Sequence, residues 1–234
     1  MSTDKRTVHV IATQHLDVAW LWVRHPDGED LMKACFEQAV AMIEAHPDRS
    51  FVFSRSTAWS FAILEEKAPE LFARVKTYVR EGRIEVCGGQ WVEPDTAIPD
   101  GESLVRQELY AQLYYRERFG RQATVAWDPD IFMHSGTLPQ LYRKGGLRGY
   151  YFHRCRPTDA DGTALHQFVW RGPDGSEVLV LSGQWVGAPE KDVIRTAGEE
   201  LDRTGLPATH VVTGCRSDRR LTTQPAWLPL PAQA

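Results

Sequence analysis

The sequence predicts an α/β fold built on a parallel sheet, and three observations carry that expectation. Short apolar β-type runs alternate with longer amphipathic ones. The β-type runs are apolar almost throughout, as strands covered on both faces must be. The unusual polar residues gather where the strands end, which is where parallel sheets carry their functional groups.

Residues 7–13 (TVHVIAT) read as the first strand. Residues 30–45 follow as a helix, with Leu31, Cys35, Ala39 and Met42 or Ile43 at helical spacing. Residues 50–55 (SFVFSR) are the second strand, and 62–80 form one helix ended by Gly82. Residues 84–88 (IEVCG) make strand three, and a strong helix at 102–119 closes at Gly120. Strand four is 123–127 (ATVAW), a short helix covers 138–144, and strand five is 149–153 (GYYFH). Such alternation favours right-handed βαβ units. The pattern then changes: two β runs within 168–182 flank Pro173-Asp174-Gly175, a hairpin signal. Residues 209–213 (THVVT) add one more strand. The stretch 215–234 carries Arg216, Arg219 and Arg220, then Pro225, Pro229 and Pro231, with no helical or strand period. It reads as an irregular tail on a body of residues 1–214.

The bulk chemistry excludes several function classes. A net charge of −4 with 42% hydrophobic residues gives no basic surface for nucleic acid or anionic lipid. No stretch reaches transmembrane length, and the N-terminus has no secretory pattern. The four cysteines (Cys35, Cys87, Cys155, Cys215) are scattered without a CxxC pair, which suits a reducing cytoplasm.

At the strand ends, His15 and Asp17 stand two apart, so on an extended segment both point one way. Together they can grip one metal ion, and Asp130 at the end of strand four can supply a third ligand. One nitrogen and two oxygens suit zinc, with manganese or cobalt as alternatives. An isolated H-x-D equally fits a capping aspartate beside a packed histidine. Asp130 equally fits a turn ahead of the helix at 138, or the nucleophile of a glycosidase. Asp128 lies on the same side as Asp130 by spacing, but it precedes a proline and suits a turn. His134 either supports the site or packs on Phe132. Trp20, Trp22 and Trp91 offer ring faces to a pyranose or to the core. Arg55 and Arg154 suit sugar hydroxyls, carboxylates or plain structural pairing. Gly88-Gly89 reads as a tight backbone turn, with no phosphate-loop pattern around it.

Taken together these segments resemble glycoside hydrolase family 38. His15-Leu16-Asp17-Val18-Ala19-Trp20 is similar to its HxDxxW signature, and Trp127 to Ser135 (WDPDIFMHS) to its W-x-x-D-x-F-G-H-S signature. Gly88 to Asp95 resembles its GGxWVxPD segment, Leu138-Pro139-Gln140 its LPQ, and Phe168 to Ser176 its FxWxGxDGS hairpin. The matches run in family order from about Thr7 to Gly214. The resemblance implies a seven-stranded parallel β/α barrel and retaining hydrolysis of α-mannosides in glycans. It implies that His15, Asp17 and Asp130 bind Zn2+, that Asp130 is also the nucleophile, and that Trp20 stacks on the sugar; Arg154, read from its place at the end of strand five, is added as a further substrate contact.

Two departures stand out. Met133 replaces a family glycine and is expected to crowd the strand-four loop. After Gly214 the family's glycine-rich acid/base segment is replaced by CRSDRR, with Asp218 out of register, and the later histidine ligand has no counterpart. The expectation is a barrel incomplete on its C-terminal side, its acid/base missing, through a frameshift or early stop, and the chain itself weakly active or inactive. Exposed strand edges in such a partial barrel would call for a partner or a second copy. The alternatives are another metal-dependent carbohydrate hydrolase, such as a deacetylase with Asp130 as base, or a sugar-binding remnant.

Overall fold

The computed structural model describes residues 6–183, 190–206 and 208–215. Among the described residues, seven parallel strands and one antiparallel strand make up two four-stranded sheets. In the first, the order is β3 (Ile84–Val86), β2 (Phe53–Arg55), β1 (Thr7–Gln14) and β8 (Ala208–Cys215). In the second it is β4 (Val125–Trp127), β5 (Gly149–Phe152), β7 (Glu177–Ser182) and β6 (Gln167–Arg171), the last antiparallel. The expected parallel α/β fold is present; one continuous seven-stranded barrel is not seen among the described residues. The reason is strand length. β2, β3 and β4 are three residues each, and between β3 and β4 the described pairing is the bond from Gly88 N to Val125 O at 2.9 Å.

The two sheets nevertheless share a core. Cys87 just past β3, Trp127, Tyr151 and Val212 form one buried cluster, against which Ile11 and Leu181 pack. These side chains come from five strands of both sheets and the residue just past β3, so the parallel strands enclose a common apolar interior. Trp127 and Tyr151 stack at 4.2 Å between ring centroids.

Helices cover the outer faces. α1 (Glu29–Ala45) buries Met32, Cys35, Phe36, Ala39, Val40 and Ile43, the stripe expected from its period. Where one helix was expected over 62–80, there are two: α2 (Ala58–Lys67) and α3 (Pro69–Arg80). Pro69 explains the break, since a proline disfavours helical dihedrals at the residue before it, and Ala68 sits at φ −145°, ψ 66°. α4 (Gly101–Phe119) ends at a left-handed Gly120, as expected, and is capped at its start by Asp100, whose side chain accepts from Ser103 N. α5 (Leu138–Lys144) matches its expected bounds. α6 (Glu190–Thr204) was not expected; it buries Ala197 and Leu201, four residues apart. The Pro173-Asp174-Gly175 hairpin joins β6 to β7, with Arg171 opposite Glu177. The expected irregular tail lies outside the described residues apart from Cys215, which ends β8. Among the described residues no helix is long and apolar enough to cross a membrane.

Candidate functional site

The site forms at the carboxyl ends of β1, β3, β4 and β5, because parallel pairing aims all four ends the same way. β1 delivers His15 and Asp17. The segment after β3 turns at Gly88-Gly89 and delivers Glu93. The loop after β4 delivers Asp130, and the loop after β5 delivers His153 and Arg154.

His15 lies at the centre, its side chain 14% exposed. Its Nε2 stands 3.4 Å from Asp17 Oδ1 and 3.5 Å from Asp130 Oδ2, while its Nδ1 is 3.2 Å from Glu93 Oε2. Burial alone would lower the imidazole pKa, but the Glu93 and Asp17 carboxylates outweigh it and raise the group to about 10. The surroundings therefore favour a positive charge at this point. Asp130 spends its other oxygen on Arg154, whose Nε donates to Oδ1. His153 Nε2 approaches the same oxygen at 4.0 Å. Arg154 also lies over the Phe132 ring at 5.0 Å.

The three expected metal ligands thus come together. Around a tetrahedral cation with bonds of about 2.0–2.2 Å, ligand atoms stand about 3.3–3.6 Å apart. The two His15-to-aspartate separations fit that spacing, and the donor chemistry fits zinc. As they stand, no three His, Cys, Asp or Glu side chains among the described residues form a cluster that encloses a metal ion. The residues fit the ion in kind and in these two spacings.

Other expectations divide. Trp20 is 56% exposed and meets Trp22 edge-on at 5.7 Å, so it presents ring surface to solvent. Trp22 and Trp91 pack against the core instead, Trp91 against Tyr114 at 5.9 Å. Arg55 is structural: it is buried, donates to the Gln14 carbonyl and to Ser60 Oγ, and so braces the end of β1. His134 packs on Phe152 at 4.1 Å rather than on Phe132, which is exposed. Its ring nitrogens meet Tyr150 Oη at 2.9 Å and the Arg154 carbonyl at 3.0 Å, which ties the β5 loop to the β4 loop. Met133 does not crowd its loop: its side chain is half-exposed, and its carbonyl accepts from Thr96 Oγ1 at 2.9 Å.

Two features went unread in the sequence. Asp128 is not a surface turn residue. It is fully buried and accepts from Tyr142 Oη at 2.8 Å, and burial together with nearby Glu93 pushes its carboxyl well above the usual range. Glu93 was not singled out, although its segment was. The signal was there in GGQWVEPD: two glycines permit a sharp return, and a carboxylate follows. Gly88 and Gly89 adopt φ +93° and +69°, and a Cβ on them would meet Ser56 Cβ and Leu147 Cδ2, each at 2.8 Å.

Comparisons with known proteins bear on the family and the fold. Residues 5–202 match the model of the glycosyl hydrolases family 38 N-terminal domain. The chain is 33% identical over 179 residues to human Alpha-mannosidase 2C1, covering 76% of this chain and 17% of that protein. It is 33% identical over 195 residues to the Saccharomyces cerevisiae alpha-mannosidase, covering 81% of this chain and 18% of that one. It therefore spans about a sixth to a fifth of the length of these relatives. Among solved structures, an alpha-mannosidase from Enterococcus faecalis superposes with a TM-score of 0.75 at 20% identity, over 90% of this chain and 25% of that one. A polysaccharide deacetylase from Mycobacterium smegmatis shares the fold at a TM-score of 0.57 and 13% identity, over 93% of this chain and 79% of that one. With the family model matched over most of its length, this chain belongs to glycoside hydrolase family 38, as part of its N-terminal domain.

Proposed function

We propose that this chain carries the nucleophile and metal half of a retaining α-mannosidase site. The observation that carries the reading is the meeting of His15, Asp17 and Asp130 from two separate strand ends, with both aspartates at ligand spacing from one imidazole nitrogen. Family membership and the alpha-mannosidase relatives supply the substrate class, an α-mannoside. The two sheets are read as arcs of the family's seven-stranded barrel.

In this account His15, Asp17 and Asp130 hold one Zn2+. When bound, it would grip sugar hydroxyls and offset charge at the reacting centre. Asp130 attacks the anomeric carbon; a glycosyl ester forms as the aglycone oxygen departs, and water then breaks that ester with net retention. Arg154, bonded to Asp130 Oδ1, fixes the carboxylate's orientation for attack. The exposed face of Trp20 suits the C–H face of a pyranose. The acid/base that would protonate the leaving oxygen is not assigned among the described residues, so weak turnover of natural glycosides is expected from this chain. A deacetylase reading draws only on a shared fold.

The nucleophile can be tested apart from the acid/base. A ring-fluorinated α-mannosyl fluoride expels fluoride without acid help and leaves a long-lived ester. Incubation with the chain and zinc should add one sugar mass to the peptide holding Asp130, and nothing to Asp130→Asn. Labelling elsewhere, or none with zinc bound, would contradict the assignment.

A further inference from the structure

We propose that Glu93 is a positioning residue for the metal ligand His15: it accepts a hydrogen bond from Nδ1–H and thereby turns Nε2 toward Asp17 and Asp130. The inference rests on the metal reading above and adds to it a residue from a third strand end.

The division of the imidazole carries the argument. Nδ1 faces Glu93 Oε2 at 3.2 Å, and Nε2 faces Asp17 Oδ1 at 3.4 Å and Asp130 Oδ2 at 3.5 Å. A neutral imidazole carries one proton, so a carboxylate on the Nδ1 side selects the tautomer whose lone pair is on Nε2. A carboxylate behind a metal-bound histidine also fixes the ring plane and strengthens the ligand.

Glu93 is itself held in place. Its side chain is 14% exposed, and its Oε1 accepts from Ser56 Oγ at 3.1 Å. The backbone of the three residues before it is anchored on two sides. Ala58 N donates to Gln90 O at 3.1 Å and Trp59 N to Trp91 O at 3.0 Å, which joins the segment to α2. Trp91 N donates to Gln107 O at 3.0 Å and Val92 N to Gln107 Oε1 at 2.9 Å, which joins it to α4. A carboxylate fixed this firmly limits where the ring can point before any cation arrives.

The test is titration calorimetry of the 234-residue chain with zinc chloride, comparing the native sequence with Glu93→Gln, Ser56→Ala and His15→Ala. Glu93→Gln should weaken zinc binding by about 10- to 100-fold with an unchanged circular dichroism melt, Ser56→Ala by less, and His15→Ala should abolish it. In parallel, nitrogen-15 spectra of histidine-labelled, zinc-loaded native chain should give His15 the pattern of an Nδ1–H tautomer. That readout does not depend on any variant folding. If the native chain binds no zinc, the metal reading falls and this inference with it. If the native chain binds zinc but Glu93→Gln binds equally well, or His15 carries its proton on Nε2, this inference alone is overturned.

Discussion

Asp128 and Asp130 flank Pro129, yet they meet opposite conditions. Asp128 is buried against Tyr142, while Asp130 keeps a 26% exposed side chain between His15 and Arg154. Spacing alone put both on one side of the strand; only packing separates the buried acid from the candidate nucleophile. A second buried acid yields a pH prediction. Glu108 on α4 is 5% exposed, and burial raises its carboxyl from 4.5 to about 8. Below pH 4.5 both folded and unfolded states hold the proton, and the group contributes nothing to pH dependence. Above 4.5 the unfolded chain gains by ionising and the folded one does not, so stability falls until the folded group ionises near pH 8. Glu108→Gln should therefore raise stability at pH 8 by on the order of a few kcal/mol and change it little at pH 4. Urea unfolding at the two pH values checks this; equal effects at both would contradict it. His15, Asp17 and Asp130 were legible because strand ends and an i, i+2 spacing fix direction. Glu93 was not, because its role depends on a chain return that spacing cannot locate.

Element boundaries followed local chemistry where that chemistry is strong. Asp100 and Gly120 bounded α4, and Pro173-Asp174-Gly175 made the hairpin. Pro69 divided a helix that hydrophobic period alone had run together, and the proline was the available signal. Burial of α2 decides how well the helical layer holds. Phe61 is fully buried, with ring centroids 5.1 Å from Phe36 on α1, and 5.9 and 5.2 Å from Tyr115 and Phe119 on α4. Phe61→Ala should cost about 3–5 kcal/mol, enough to unfold a marginal domain. Chemical denaturation measures it, and a loss under 1 kcal/mol would mean the three helices do not pack this way. At the Gly88-Gly89 return, Gly88→Ala should cost roughly 1–3 kcal/mol, since φ is +93° and the new Cβ would meet Ser56. The same change should weaken zinc binding, because the segment it disturbs carries Glu93.

For the molecule as a whole, the parallel α/β class was legible from alternation, while the seven-stranded barrel expected from the resemblance is not shown among the described residues. Three-residue strands at β2, β3 and β4 leave two sheets joined around Cys87, Trp127, Tyr151 and Val212. Closure of a sheet depends on pairing between distant strands, which no local pattern specifies. The convergence of side chains survives this division because it needs only the strand ends to meet. β1 and β4 lie in different sheets, yet they bring His15 and Asp130 within 3.5 Å. The most direct check is anomalous diffraction at the zinc edge from crystals of the chain grown with zinc. The account requires one strong peak at bonding distance from His15 Nε2, Asp17 and Asp130 together. Peaks only elsewhere, or no peak beside His15 in zinc-saturated crystals, would contradict it.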